Sequence, residues 1–150
     1  MDRVFPTDDP RGYRSWALAH PWCMACLVPA SKAPYPGLAN HHIIKFGRTS
    51  EPCCLLRACG RCHDLFEGRQ VRLDGILLPK LTLGVALTLK QMATPDEWNP
   101  TRLQELYGQT LPEREPIPDW LLKERARWCP VELTLWLPGG TPIVEVTSGN

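Results

Sequence analysis

A chain of 150 residues fits one compact unit, since a single core usually forms within about 100 to 200 residues. The 43% hydrophobic content and six Trp indicate a folded protein, and the 16 Pro argue against long uninterrupted helices. The formal charge of +1 is spread unevenly: residues 1–74 carry ten Lys and Arg against seven Asp and Glu, and residues 75–150 carry seven against nine. So small an asymmetry is compatible with nucleic-acid binding without indicating it.

We expect no secretory signal at the beginning of the chain, because it carries charges and prolines where a signal peptide needs an apolar run. No stretch approaches the roughly 18 to 20 apolar residues of a membrane span. We therefore expect a cytoplasmic protein without a membrane partner. In a reducing compartment, regularly spaced cysteines favour metal ligation over a disulfide framework.

The first half of the chain is predicted to hold a short helix followed by a strand, strand, helix unit. Residues 11–20 have helical spacing, and residues 27–37 hold three prolines typical of a loop. Residues 38–44 and 54–58 read as the two strands of a hairpin. Residues 60–68 predict a helix of about two turns.

The second half is less clearly patterned. Residues 75–89 are rich in Leu and Val, without an assigned element. A helix is predicted at 99–108, opened by Asn99 and Pro100 and closed by Gly108, and another near 119–128. Strands are predicted at 131–137 and 143–147.

These elements predict an α+β protein with two parts. Residues 1–74 would form the core with its N-terminal helix, and residues 75–150 an extension of unknown role, packed on the core. The extension would contribute additional helices and short strands. It is also the region through which a protein partner or a second copy of the chain would bind.

The strongest chemical signal is a pair of C-x-x-C motifs, formed by Cys23 with Cys26 and by Cys59 with Cys62. Four thiolates make a closed tetrahedral zinc site, and this repeated spacing is typical of one. Such a site has no open coordination position, so its role would be structural. It would clamp the first motif to the N-terminal end of the helix at 60–68. The alternative is that one pair is merely buried apolar Cys.

Three further cysteines, Cys53, Cys54 and Cys129, lie outside these motifs. We interpret them as small buried hydrophobic residues. A second metal site or a redox role is the alternative.

Three of the four histidines fall within the strand, strand, helix unit. His41 and His42 end the first strand, where successive side chains point to opposite faces. His63 directly follows Cys62, so the zinc clamp would fix the direction of its imidazole. A His pair on an apolar strand is more often structural, but its combination with His63 favours a functional interpretation.

Taken together, these motifs resemble the HNH nuclease family in its four-Cys zinc variety, whose fold is called ββα-metal. The resemblance covers residues 13–69, and the stretch from Trp16 to Pro21 is similar to that of small phage-encoded members, which act in the bacterial host cytoplasm. It is carried by Cys23-Met24-Ala25-Cys26, Asn40-His41-His42-Ile43-Ile44 and Leu55-Leu56-Arg57-Ala58-Cys59-Gly60-Arg61-Cys62-His63.

The resemblance implies a metal-dependent DNA endonuclease that hydrolyses phosphodiester bonds, by nicking or double-strand cleavage. It implies that His41 and His63 bind one catalytic divalent ion and that His42 is the general base. The sequence departs from the family at one position. The Asn of the family name should stand nine residues before His63, where this chain has Cys54, and that Asn normally braces the loop that carries the base.

Imidazole ligands suit Zn, Ni, Co and Mn better than Mg, so we expect Mn, Ni or Co to support cleavage at least as well as Mg. DNA would be bound mainly through its phosphates, without strong sequence specificity. For any single cation an ordinary solvated side chain is the alternative. The candidate DNA-binding residues near the histidines are Lys45, Arg48, Arg57, Arg61, Arg69 and Arg72.

Two other functions remain open. One is a non-catalytic zinc module that binds DNA or protein, in which Cys54 marks a decayed site. The other is a structure-selective nuclease that acts on branched recombination intermediates, which differs in substrate rather than in chemistry.

Overall fold

The computed structural model describes residues 10–34, 37–45 and 51–129. Within these residues the protein mixes helices with two small two-stranded sheets. Every described helix is too short or too polar to cross a membrane. The elements in chain order are α1 (Pro10–Ala19), β1 (Leu38–His42), β2 (Leu55–Cys59), α2 (Gly60–Phe66), β3 (Arg72–Leu73), β4 (Ile76–Leu77), α3 (Leu83–Ala93), α4 (Pro100–Tyr107) and α5 (Asp119–Trp128).

Strands β1 and β2 form an antiparallel pair, and α2 follows β2 without an intervening loop. In the register, His41 is opposite Leu56 and His42 is opposite Leu55. All of β2 except Arg57 is buried, because both faces of this strand pack against the core. The predicted strand, strand, helix order is therefore confirmed.

Helix α4 begins and ends at the capping residues from which it was predicted. The Asn99 side chain accepts a hydrogen bond from the Arg102 N–H at 3.0 Å, Pro100 begins the helix, and Gly108 ends it with a φ of 83°. Helices α1 and α5 also lie where they were predicted. The strands predicted at 131–137 and 143–147 lie outside the described residues.

Helix α3 was not predicted, although Thr82 caps it by accepting from the Val85 N–H at 3.2 Å. Its side chains are apolar around most of the helix surface, so its sequence has no amphipathic period. The buried positions of α3 are Gly84, Val85, Ala86, Leu87, Leu89 and Lys90.

Lys90 anchors α3 to the turn that precedes β2. Its side chain is 0% exposed, and its ammonium donates to the Pro52 carbonyl at 2.6 Å and to the Glu97 carboxylate at 2.7 Å. Trp16 of α1 donates to the same carboxylate at 3.0 Å. Burial lowers the pKa of Lys90, and Glu97 opposes that shift by stabilising the charged form. Three separate segments thus meet at one buried ion pair.

Two arginines make comparable long-range contacts from α4 and α5. The Arg102 guanidinium pairs with the buried Glu51 carboxylate at 2.6 Å, just before β2. The Arg125 guanidinium donates to the carbonyls of Met24 and Ala25 at 2.8 and 2.6 Å. The helices after residue 75 are therefore attached to the segments that carry the C-x-x-C motifs and the start of β2.

Candidate metal sites

The four cysteines of the two C-x-x-C motifs form one buried cluster. Cys23, Cys26, Cys59 and Cys62 place their sulfur atoms within 4.8 Å of one another, and all four side chains are fully buried. The Sγ atoms of Cys26 and Cys59 are 3.8 Å apart, and all four thiols are free. This cluster could bind a structural metal ion.

The turn at Cys23 to Cys26 is shaped to present sulfur atoms. The backbone N–H groups of Ala25 and Cys26 both donate to Cys23 Sγ at 3.3 Å, contacts that would stabilise a metal-bound thiolate, whereas burial raises the pKa of the Cys23 thiol. Leu27 donates to the Cys23 carbonyl and has a φ of 70°, a left-handed conformation that costs about 1 to 2 kcal/mol for a residue other than glycine. The surrounding contacts must hold this turn in place.

Positive charge accompanies the thiol cluster. Burial by itself would lower the pKa of Arg61, but the sulfur atoms of Cys26, Cys59 and Cys62 raise it above its usual value. The Arg61 side chain also donates to Glu124 of α5 at 3.1 Å. A guanidinium beside the cluster would offset the negative charge of metal-bound thiolates.

A second cluster joins His41 of β1 with His63 of α2 and with Glu67, the residue that directly follows α2. One potential ligand atom from each residue lies within 4.8 Å of the other two. The imidazole centroids are 5.2 Å apart, and His41 Nδ1 lies 3.5 Å from a Glu67 carboxylate oxygen. Phe66 stacks on the His41 ring at 4.8 Å and holds its orientation.

The ring nitrogens of this cluster suit a cation. Among the described residues, the buried Nδ1 atoms of His41 and His63 have no hydrogen-bond partner, which is unusual for buried polar atoms. Burial, and to a lesser extent the His63 imidazole, lowers the pKa of His41 to about 3, so this ring is neutral near pH 7. The hydrogen bond from Lys45 lowers the pKa of Glu67 and keeps its carboxylate ionised. Two imidazoles and one carboxylate could bind a divalent ion.

Glu67 was not among the sequence-predicted ligands. It lies four residues after His63 and continues the helical backbone beyond the last residue of α2. Side chains four residues apart share one face of a helix, so this spacing could have identified it.

His42 ends β1, next to His41 and opposite Leu55. Its side chain is half-buried, whereas that of His41 is only 3% exposed. Because successive strand residues point to opposite faces, the two imidazoles face different surroundings, as the sequence predicted. His42 is accordingly outside the His41, His63 and Glu67 cluster.

Cys54 ties the segment after His42 to the beginning of β2. The Ile44 N–H donates to Cys54 Sγ at 3.4 Å, and the thiol donates to the Ile44 carbonyl at 3.6 Å. The Ile43 N–H also donates to the Cys54 carbonyl at 2.8 Å. Cys54 therefore contacts both backbone groups of a residue two positions beyond His42.

The other two cysteines outside the motifs belong to neither described cluster. Burial raises the pKa of Cys53 to about 12, and the nearby Glu51 carboxylate adds to this shift. The sulfur of Cys53 therefore stays a thiol. Cys129 is partly exposed at the end of α5.

Three of the candidate DNA-binding cations are exposed. Lys45 pairs with Glu67 at 2.8 Å, Arg69 pairs with Asp64 at 2.8 Å, and Arg72 contacts the Gly75 carbonyl at 3.4 Å. They lie around the surface of α2 and the hairpin that follows it.

The other three candidate cations differ in position. Arg57 of β2 donates to the Asn40 side chain of β1 at 2.9 Å and to the carbonyl of His20, just after α1, at 3.2 Å. Arg61 lies between the thiol cluster and α5, as described above. Arg48 lies outside the described residues.

Comparisons of the chain with protein-family models, with curated proteins and with solved structures found no match. The geometry of the two clusters is therefore the basis for assigning a function.

We expect the thiol cluster to bind one zinc ion on which folding depends. Cys62→Ser should lose the metal and the cooperative thermal unfolding transition, because three sulfur ligands would leave both the turn and α2 unclamped. Elemental analysis and circular dichroism would measure both effects. Cys129→Ser is the matched control and should keep one zinc per chain. Full zinc content and parental unfolding in Cys62→Ser would contradict this expectation.

We expect Glu67 to bind the divalent ion of the histidine cluster. Glu67→Gln keeps the shape of the side chain but removes its charge, so affinity for Mn²⁺ should fall at least about tenfold. Titration of Mn²⁺ into the zinc-loaded protein, followed by electron paramagnetic resonance, measures this directly. Glu105→Gln changes an exposed carboxylate on α4 and should leave the affinity unchanged. Equal Mn²⁺ affinity in Glu67→Gln and the parent would remove Glu67 from the site.

Proposed function

We propose that this protein is an HNH-type, metal-dependent DNA endonuclease with a ββα-metal core. The observation that carries the proposal is the convergence of His41, His63 and Glu67 where β1 meets α2, with His42 adjacent on the same strand. The sequence resemblance described above and the strand, strand, helix order agree with it.

Zinc is the metal that best fits the thiol cluster. A tetrahedral ion with bonds of about 2.3 Å to sulfur implies sulfur separations of about 3.8 Å. The distance of 3.8 Å between Cys26 and Cys59 matches that separation. With four sulfur ligands this ion would have no position for water, so its role is structural.

The histidine cluster suits a catalytic ion, because three protein ligands leave positions for phosphate oxygen and water. Its nitrogen and oxygen donors favour binding of Mn, Ni, Co or Zn over binding of Mg, which prefers oxygen ligands. When bound, such an ion would act as a Lewis acid that stabilises negative charge on the phosphate and on the departing oxygen.

His42 is the general base of the proposed reaction. Its imidazole accepts a proton from the attacking water as the water oxygen bonds to phosphorus. The bond from phosphorus to the 3′-oxygen breaks, and that oxygen takes a proton from solvent. The products are a 5′-phosphate and a 3′-hydroxyl. The alternating faces of β1 separate this function from that of the neighbouring His41.

Cys54 is a positioning residue in this proposal. Its contacts with the Ile44 N–H and carbonyl would hold the chain just beyond His42 against β2. A thiol can both donate and accept a hydrogen bond, as the side-chain amide of Asn can. Cys54 would thus replace the brace that the resemblance assigns to Asn.

Phosphate contacts would come first from the exposed cations Lys45, Arg69 and Arg72. All three already neighbour acidic or carbonyl groups, so their contribution to DNA affinity depends on side-chain rearrangement. Such contacts are sequence-independent and sensitive to salt.

The decisive test is plasmid nicking by zinc-loaded protein supplied with Mn²⁺. His42→Ala should keep one zinc per chain but lose at least about 100-fold in nicking rate, since a general base contributes that much. His20→Ala changes an imidazole packed between Trp16 and Trp22 and should nick like the parent. Undiminished nicking by His42→Ala would remove its assigned role, and a parent protein that never nicks DNA would favour the non-catalytic zinc module.

We expect Cys54 to affect turnover more than metal binding. Cys54→Ala should lower kcat about tenfold, because a small displacement of the base slows catalysis, with little change in Mn²⁺ affinity. Cys54→Ser can make both hydrogen bonds and should restore most of the rate. Single-turnover nicking and Mn²⁺ titration separate the two quantities. A parental kcat in Cys54→Ala would show that the contacts with Ile44 do not position His42.

A further inference from the structure

The β3–β4 hairpin, which follows α2 in the chain, exposes apolar side chains. Leu73 is paired with Ile76, and Arg72 with Leu77. Ile76 is 68% exposed and Leu77 is 46% exposed. Apart from Leu18 on α1, they are the exposed large hydrophobic residues of the described chain. The two side chains stand on opposite faces of the two-stranded sheet, and Ile76, which directly follows the turn, is the more exposed of the two.

The hairpin closes with a two-residue turn of defined conformation. Its two residues, Asp74 and Gly75, have φ values of 52° and 81°. Two positive φ values in a two-residue loop define the type I′ turn, whose twist matches that of the strands. The acidic Asp74 is therefore explained by the backbone conformation, which Asp and Asn adopt more readily than other side chains.

The base of the hairpin is fixed to α2. The Leu78 N–H donates to the Val71 carbonyl at 2.8 Å, and the Leu81 N–H donates to the Leu65 carbonyl at 3.2 Å. Leu78 and Leu81 are both buried in the core. Ile76 is five residues before Leu81, so it lies within about 20 Å of α2. That distance corresponds to about six base pairs of duplex DNA.

The charge around the hairpin is favourable for DNA. Residues 69–80 contain Arg69, Arg72 and Lys80 against Asp74, a net charge of +2 for the segment, and Arg69 is also paired with Asp64 of α2. All three cations are exposed. Phosphates on either side of a groove could contact these cations while the apolar tip enters the groove.

We infer that the β3–β4 hairpin is a DNA wedge, in which Ile76, on the same face of the hairpin as its partner Leu73, enters the minor groove and unstacks a base step. Ile and Leu are among the side chains that proteins insert between base steps to kink a duplex. The inference rests on the proposed nuclease function and deepens it: the duplex would be bent at a step close to the bond that is cut. Flexible steps such as TA would then be preferred without direct reading of bases.

The test measures binding of a 30-base-pair duplex that carries 2-aminopurine, a base analogue whose fluorescence rises when it is unstacked. Zinc-loaded protein in a His42→Ala background keeps the duplex uncut during the measurement. Ile76→Thr retains a β-branched side chain for the strand but replaces part of the apolar surface with a hydroxyl. Ile76→Val is the milder variant, and Leu18→Gln is the control for an exposed apolar residue elsewhere.

We expect Ile76→Thr to weaken duplex binding about tenfold and to abolish the rise in fluorescence, with Ile76→Val intermediate and Leu18→Gln unchanged. The dependence of affinity on salt should stay the same, because no phosphate contact is lost. Arg72→Gln should instead reduce the slope of log affinity against log salt by about one.

Parental affinity and fluorescence in Ile76→Thr would overturn the inference. So would a loss of self-association in Ile76→Thr, measured by light scattering, without a change in duplex affinity, since the surface would then be a protein interface. The two proposals fail separately. A parent that nicks plasmid while Ile76→Thr binds normally contradicts the wedge alone, and a parent that bends DNA without nicking contradicts the nuclease alone.

Discussion

The thiol cluster is the constraint on which the arrangement of this protein depends. Helix α2 has only seven residues and no side-chain cap at its N-terminus, so it would be marginal as an isolated helix. Cys59 and Cys62 lie at its beginning, and a shared metal would tie them to the turn at Cys23 and Cys26. That clamp would fix the direction of α2, which carries His63, followed by Glu67, to His41.

Buried polar contacts support this clamp from the second half of the chain. Arg125 binds the carbonyls of the turn that presents Cys23 and Cys26, and Lys90 and Arg102 bind groups just before β2. Each places a charge in a largely buried setting, where an unpaired partner would be strongly destabilising. The helices after residue 75 therefore stabilise both ends of the unit that brings the histidines together, in addition to any role in binding.

The two clusters differ in what their ligands could support. Four sulfur atoms saturate a tetrahedral ion and exclude water, whereas two imidazoles and a carboxylate leave coordination positions open. Cys54 belongs to neither cluster, but its position was unexpected. It is neither a metal ligand nor simply apolar filling, because its thiol contacts the backbone beside the proposed base. A residue that would mark a decayed site from sequence alone thus has a specific structural contact.

The sequence alone identified the two C-x-x-C motifs and predicted both the strand, strand, helix order and the capped helix α4. Each of these signals lies within a few neighbouring residues. Tertiary structure alone decided what distant residues do. Helix α3 is covered by the core on most sides and so has no periodic pattern, and Lys90 within it is buried because Glu97 and Pro52 lie nearby in space. The spacing of His63 and Glu67 places them on one helical face, but they meet His41 only because α2 packs against β1. Burial, pairing of charges and the meeting of ligands are properties of contacts between distant segments, which local patterns do not encode.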